Sequence, residues 1–248
     1  MKHNILTNLS HVKARVKAAC LKAGRDPGSV KLLLATKTVS AENIRIAMEA
    51  GESLLGENKV QELKSKYEAL HPFSNQLHFI GHLQTNKVKE VIKYATCIQS
   101  VDRIRLAEKL QNRLTFEDRR MDVFIQVNTS YEQSKFGAAP ENTLKLIQEV
   151  SSMDRLKIKG LMTIGLFSAE PEKVRKCFRL LKNLQEQAMA LNLPGVSLDE
   201  LSMGMSGDLE IAIEEGATMV RVGTAIFGKR PYPDSYYWNE NNGPKAYL

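Results

Sequence analysis

Short apolar runs alternate with longer amphipathic stretches along almost the whole chain. The apolar runs are KLLLAT (31–36), ESLLGE (52–57), QLHFIG (76–81), TCIQSV (96–101), MDVFIQVN (121–128), LKIKGLMTI (156–164), LDELSMG (198–204) and ATMVRVG (217–223). Each has the length and β-branched or aromatic content of a buried strand. Between them lie stretches with helical spacing: 40–51, 58–70, 86–95, 102–114, 141–153, 171–192, 206–216 and the short 224–228. Ser40 and Asp102 stand where N-caps belong, although Asn43 leaves the capping box at Ser40 incomplete. Gly51 closes the first of these helices.

Strands alternating with helices build a parallel sheet, and eight such units in 248 residues is the arithmetic of an α/β (β/α)8 TIM barrel. A doubly wound open sheet would want a glycine-rich first turn, which is absent. Ile5, Leu9, Val12, Val16 and Ala19 recur at helical spacing and predict an extra N-terminal helix covering the barrel. The lack of acidic residues before Asp26 gives that segment a mild likeness to a transit peptide. No linker interrupts the pattern, so one domain is expected over 1–230, with a polar, aromatic extension over 231–248.

Composition narrows the function classes. No apolar run approaches the roughly 18 residues of a membrane helix, so a soluble protein is expected. Cys20, Cys97 and Cys177 are widely spaced and fit neither a zinc site nor a disulfide framework, which points to the reducing cytoplasm. The net charge of +7 is spread over helices that also carry glutamate, and aromatics are only 6%. No basic stripe interleaved with aromatics marks a nucleic-acid surface, and an anionic small ligand accounts for the surplus equally well.

A barrel carries its chemistry at the C-terminal ends of its strands. There the first strand offers Lys37, the second Glu57 and Asn58, the seventh Ser202 within SMGMS, and the eighth Gly223 and Thr224. A lysine at a barrel mouth loses solvation, which favours the neutral, aldehyde-seeking amine. By itself it is as readily a structural lysine snorkelling to the rim. Gly223, opening a short helix with Thr224, suggests a phosphate cup that Ser202 completes, against the plainer reading of an ordinary βα turn. Arg221 lies two residues before Gly223 and shares its side of the strand; the plainer reading is an ion pair with Glu57, Asp199 or Glu210. An amine, a phosphate cup and an inward cation together describe a site for pyridoxal 5'-phosphate. His78 reads as a hydrogen-bonded core histidine, His82 as a loop residue within reach of ligand, and Met162, Met203 and Met205 as packing. The loop NTSYEQSKFG (128–137) with Lys135 is a lid or second anion contact, or else plain solvated loop.

The motifs LLLATKT, GENKVQE, HFIGHLQTNK, SKFG, GLMTI, LSMGMSGDLEIAI and TMVRVGTAIFG, in this order over about residues 4–231, resemble the pyridoxal phosphate homeostasis protein family. Its members are similar to the barrel half of alanine racemase standing alone. The resemblance implies a fold-type III barrel with the cofactor joined to Lys37 as a Schiff base. It places Asn58 near the ring hydroxyl, Arg221 against the pyridine nitrogen, and Ser202, Gly223 and Thr224 around the phosphate. Ile80 and Met162 pack near the ring, and Lys135, Met205 and Ser206 are secondary candidates. The expected function is reversible holding of the cofactor, buffering it and delivering it to apo-enzymes, by a monomer or weak dimer without turnover of its own. A small racemase is the alternative, but the residues beyond Pro231 are too few for a second domain, and only Tyr236 or Tyr237 of the extension offers a second acid/base. A class I aldolase using Lys37 without cofactor is a third reading.

Overall fold

The computed structural model describes residues 2–73 and 76–228; the extension expected over 231–248, with Tyr236 and Tyr237, lies outside the described residues. Eight parallel strands close into a barrel in sequence order, with the last pairing back onto the first. They are β1 (Lys31–Ala35), β2 (Leu54–Glu57), β3 (Gln76–Phe79), β4 (Cys97–Val101), β5 (Met121–Gln126), β6 (Leu156–Met162), β7 (Val196–Ser202) and β8 (Met219–Val222). An N-terminal helix α1 (Lys2–Lys22) precedes them, and the helices between strands are α2 (Ala41–Glu49), α3 (Val60–Leu70), α4 (Val88–Val91), α5 (Ile104–Phe116), α6 (Pro140–Ser151), α7 (Pro171–Ala190) and α8 (Leu209–Glu214). The short α9 (Thr224–Phe227) follows β8. No helix among the described residues is long and apolar enough to cross a membrane.

Side chains alternate faces along a strand, so the barrel has two cores. Leu34, Leu55, Phe79, Ile98 and Ile125 point outward and bury the apolar stripes of the helices. Leu33, Leu54, Cys97, Phe124, Met162 and Met219 pack together inside the barrel, with Ile80 and Ile164 against them. Helix α1 buries all five of its expected apolar positions. It lies against α2, α8 and α9, where Asn8 Nδ2 donates to the carbonyl of Ile226 at 3.0 Å and Arg15 pairs with Glu210 at 2.7 Å. It is a covering helix of the fold, as its apolar spacing predicts.

Several element ends differ from the sequence expectation. Ser40 caps α2 through Asn43 N–H at 3.4 Å, and Gly51 takes a φ of +98° just past the helix end, both as expected. Asp102 does not cap α5. Arg103 takes the N-cap position without a side-chain bond, and the Asp102 carboxylate turns instead to the Arg103 guanidinium at 2.5 Å. The fourth helix is short, a 3-10 turn at Thr85–Lys87 followed by one turn of α-helix, because the segment must return at once to β4. Helix α6 begins at Pro140, whose ring presets the first helical turn.

Candidate functional site

The chain leaves β1 at Ala35 and passes through Thr36, Lys37 and Thr38 at the C-terminal mouth. Lys37 is half-buried and lines a cavity of about 110 Å³ with Thr38, Ser40, Asn43, Gly223, Thr224 and Phe227. The fold therefore brings the strand-one lysine to the strand-eight turn, as the sequence suggested. Gly223 is required by a neighbouring strand: a Cβ there would stand 2.8 Å from the carbonyl oxygen of Ala35. A side chain would wedge β8 away from β1, so the glycine closes the barrel at the point where Lys37 emerges.

Thr224 meets a hydroxyl from the preceding loop. Its Oγ1 lies 3.2 Å from Ser206 Oγ, which also accepts the Ala225 N–H at 3.3 Å. Met205, half-buried, donates its N–H to Asp208 at 2.5 Å and so shapes that loop; burial raises the Asp208 carboxyl above its ordinary range. Ser206, a secondary candidate by sequence, thus stands beside Thr224, whereas the hydrogen bonds of Ser202 run to Gln99 and Arg221.

Ser202 belongs to a polar chain inside the barrel. Arg221 Nη1 donates to Ser202 Oγ at 2.9 Å, and Ser202 Oγ donates to Gln99 Oε1 at 2.7 Å. Gln99 Nε2 donates in turn to His78 Nδ1 at 2.8 Å and approaches the Met219 sulfur at 3.1 Å. Arg221 Nη2 donates to the carbonyl of Thr163 at 2.7 Å. Once Ser202 uses its one proton on Gln99, the Gln99 amide orientation is set, and His78 must present a bare Nδ1. Burial fits this by lowering the His78 pKa to about 4. Arg221 is 5% exposed; burial lowers its pKa to about 10 against the pull of Asp208, and it stays charged at neutral pH. The ion pair weighed for it is absent: Glu57 faces outward to Lys66 at 2.8 Å, Glu210 pairs with Arg15, and Asp199 is exposed. Its hydrogen bonds among the described residues go to a hydroxyl and a backbone carbonyl, both neutral.

A second, larger cavity of about 270 Å³ opens at the mouth, lined among others by Asn58, Ile80, His82, Gln126, Lys135 and Ile164. Asn58 Oδ1 is buried there without a hydrogen-bond partner. His82 stacks on Phe136 with ring centroids 3.8 Å apart and lies 3.7 Å from Asp102. The loop after β5 is pinned over this cavity, since Asn128 Nδ2 donates to the carbonyls of Glu132 and Lys135 and Gln126 Nε2 donates to that of Phe136. Lys135 is not a solvated surface lysine. Its ammonium, 5% exposed, is held by Glu132 and by the carbonyl of Gly165 at 2.7 Å, above the Phe167 ring. Met162 sits deeper, in the barrel interior with Phe124 and Cys97. Sequence reasoning passed over Gln99, although a glutamine within TCIQSV, buried at 0% exposure, was a visible polar break in an apolar strand.

A closed barrel with a lysine after β1, a hydroxyl pair beside it and a buried guanidinium on β8 defines a class of lysine-bearing ligand barrels, and comparison with known proteins supplies the family. The family model for the N-terminal domain of alanine racemase matches residues 2–231. Curated relatives named pyridoxal phosphate homeostasis protein include one from Aquifex aeolicus, 44% identical over 92% of this chain and 100% of its own length. Another, from Pseudomonas aeruginosa, is 41% identical over 92% of this chain and 96% of its own. Among solved structures, PipY of Synechococcus elongatus with pyridoxal phosphate (PLP) bound aligns with a TM-score of 0.73 at 31% identity, covering 88% of this chain and 100% of that one. An unknown protein from Bifidobacterium adolescentis aligns with a TM-score of 0.86 at 37% identity, covering 91% of this chain and 95% of that one. The chain belongs to the alanine racemase N-terminal domain family and, within it, to the pyridoxal phosphate homeostasis proteins.

Proposed function

We propose that the chain holds pyridoxal 5'-phosphate at the barrel mouth and gives it up to other acceptors, buffering the free cofactor without turnover chemistry of its own. The observation that carries the reading is Arg221, a buried guanidinium whose hydrogen bonds go to neutral acceptors and which stands on the strand that leads to Thr224. The residues present fit this cofactor. Lys37 offers a primary amine, Thr224 and Ser206 offer hydroxyls for phosphate, and the buried Asn58 Oδ1 leaves a polar atom for the ring edge. When bound, the cofactor would supply an aldehyde, and the Lys37 amine would be the group that holds it covalently and reversibly. Beside the ring nitrogen, Arg221 would oppose a second positive charge there, which would weaken the ring as an electron sink and favour holding over transforming. Ile80 and Met162 give the ring apolar surroundings. Ser202 acts through Arg221, and Lys135 and Met205 shape the neighbouring loops. The names of the curated relatives and the cofactor bound to PipY support the same assignment.

Apo forms of enzymes that need the cofactor are the proposed recipients, and the cytoplasm, where buried free cysteines such as Cys20, Cys97 and Cys177 stay reduced, is the proposed location. The test is transfer of bound cofactor to an apo-enzyme in the presence of a trap for free cofactor. Transfer that outruns the trap supports delivery, while transfer abolished by the trap limits the role to buffering. Exchange of an amino acid's α-proton for deuterium, dependent on Lys37, would contradict the non-catalytic reading and favour a racemase.

A further inference from the structure

Lys66 spends all three protons of its ammonium group on acceptors around the Lys37 segment. Its Nζ donates at 2.8 Å to the carbonyl of Thr36, to Glu57 Oε1 and to Glu62 Oε2. Glu62 Oε2 accepts the Thr38 N–H at 2.6 Å, and the Thr36 hydroxyl donates to Glu57 Oε1 at 2.7 Å. The residues on either side of Lys37 are thus each gripped by a main-chain group, Thr36 by its carbonyl and Thr38 by its amide. The grip is anchored deep in the wall, with the Glu57 side chain 1% and the Lys66 side chain 11% exposed. Glu57 Oε2 has no hydrogen-bond partner, and burial raises the Glu57 carboxyl above its ordinary range against the pull of Lys66.

Thr38 adds an independent sign. Its φ is +64°, in the left-handed region that β-branched residues rarely enter. Such a conformation lasts only where the surroundings over-determine it, and it gathers at functional sites. Here Glu62 holds the Thr38 amide directly, and Lys66 holds Glu62.

We propose that Glu62, Lys66 and Glu57 are positioning residues for Lys37, fixing the direction in which its side chain leaves β1 by clamping the backbone on both sides. The value of this geometry rests on Lys37 as cofactor anchor, as proposed above, but the clamp is measurable without any cofactor. It also separates two lysines of one neighbourhood. Lys66 is committed to the clamp, so its amine is the wrong one for an aldehyde.

The experiment uses Glu62→Gln, which keeps the shape but loses the charge, and Glu62→Ala, which removes the acceptor of the Thr38 N–H altogether. Glu62 is partly exposed, and a melting curve checks that both variants fold. Reductive methylation of the cofactor-free protein with formaldehyde, read by peptide mass spectrometry, should modify Lys37 at least threefold faster in both variants, with the surface lysine Lys157 unchanged. Cofactor retention on dialysis should fall at least tenfold. Lys37 methylated at the wild-type rate in both variants would overturn the clamp, as would faster methylation with unchanged retention. If methylation rises while the wild-type protein never takes PLP on Lys37, the clamp stands and the anchor reading fails.

Discussion

The Arg221 guanidinium donates to the Ser202 hydroxyl at 2.9 Å, a charged group resting on a neutral one inside the barrel. Desolvation disfavours the cation and outweighs the attraction of Asp208, so the arrangement costs stability unless a ligand uses it. Replacing Arg221 by Met should leave the melting temperature of the cofactor-free protein within a few degrees of wild type, since the lost bonds and the relieved desolvation offset each other. Cofactor retention should fall at least tenfold. Equilibrium dialysis beside thermal melting separates the two effects.

Gln99 joins the two halves of the interior chain, accepting from Ser202 and donating to His78. Gln99→Leu leaves the Ser202 proton without its acceptor and His78 Nδ1 without its donor, which costs about 1–3 kcal/mol. For a chain of this size that lowers the melting temperature by roughly 2–4 °C per kcal/mol. Denaturant unfolding should show the loss with an unchanged slope.

His78 should give the barrel an acid-sensitive term. Its folded pKa, about 4, lies below the ordinary 6.5, so the folded state refuses a proton that the unfolded chain accepts. The contribution is fully present above pH 6.5 and is lost as pH falls towards 4, up to about 3 kcal/mol. His78→Gln should flatten this part of the stability profile, measured by urea unfolding between pH 7 and 4.

Lys66 and Glu57 form a buried pair at 2.8 Å. Lys66→Met strands the Glu57 carboxylate and should cost about 3–5 kcal/mol. Adding Glu57→Leu should recover most of that stability in chemical denaturation. It should not recover cofactor retention, because the Thr36 carbonyl has lost Lys66 and Glu62, which holds the Thr38 amide, has lost its anchor.

The barrel was legible because each strand needs an apolar run and each helix an apolar stripe, and these periodicities are local. Lys37, Gly223 and Thr224 could be brought together on paper because a closed barrel makes the first and eighth strands neighbours. The direction of a side chain at a strand end was harder to read. Glu57 and Asn58 are adjacent in GEN, yet one points outward to Lys66 while the other lines the mouth cavity. Ser202 and Ser206 share the motif SMGMS, and only the turn between them decides which reaches Thr224. The pairing of Gln99 with Ser202 spans 103 residues, and no local pattern announces it.

Lys37 is the proposed covalent anchor. Incubation with PLP, reduction with borohydride and peptide mapping should place the pyridoxyl group on Lys37, and Lys37→Ala should lose both the label and the yellow colour. A label on Lys66 or another lysine in the wild-type protein, or full yellow binding in Lys37→Ala, would contradict it.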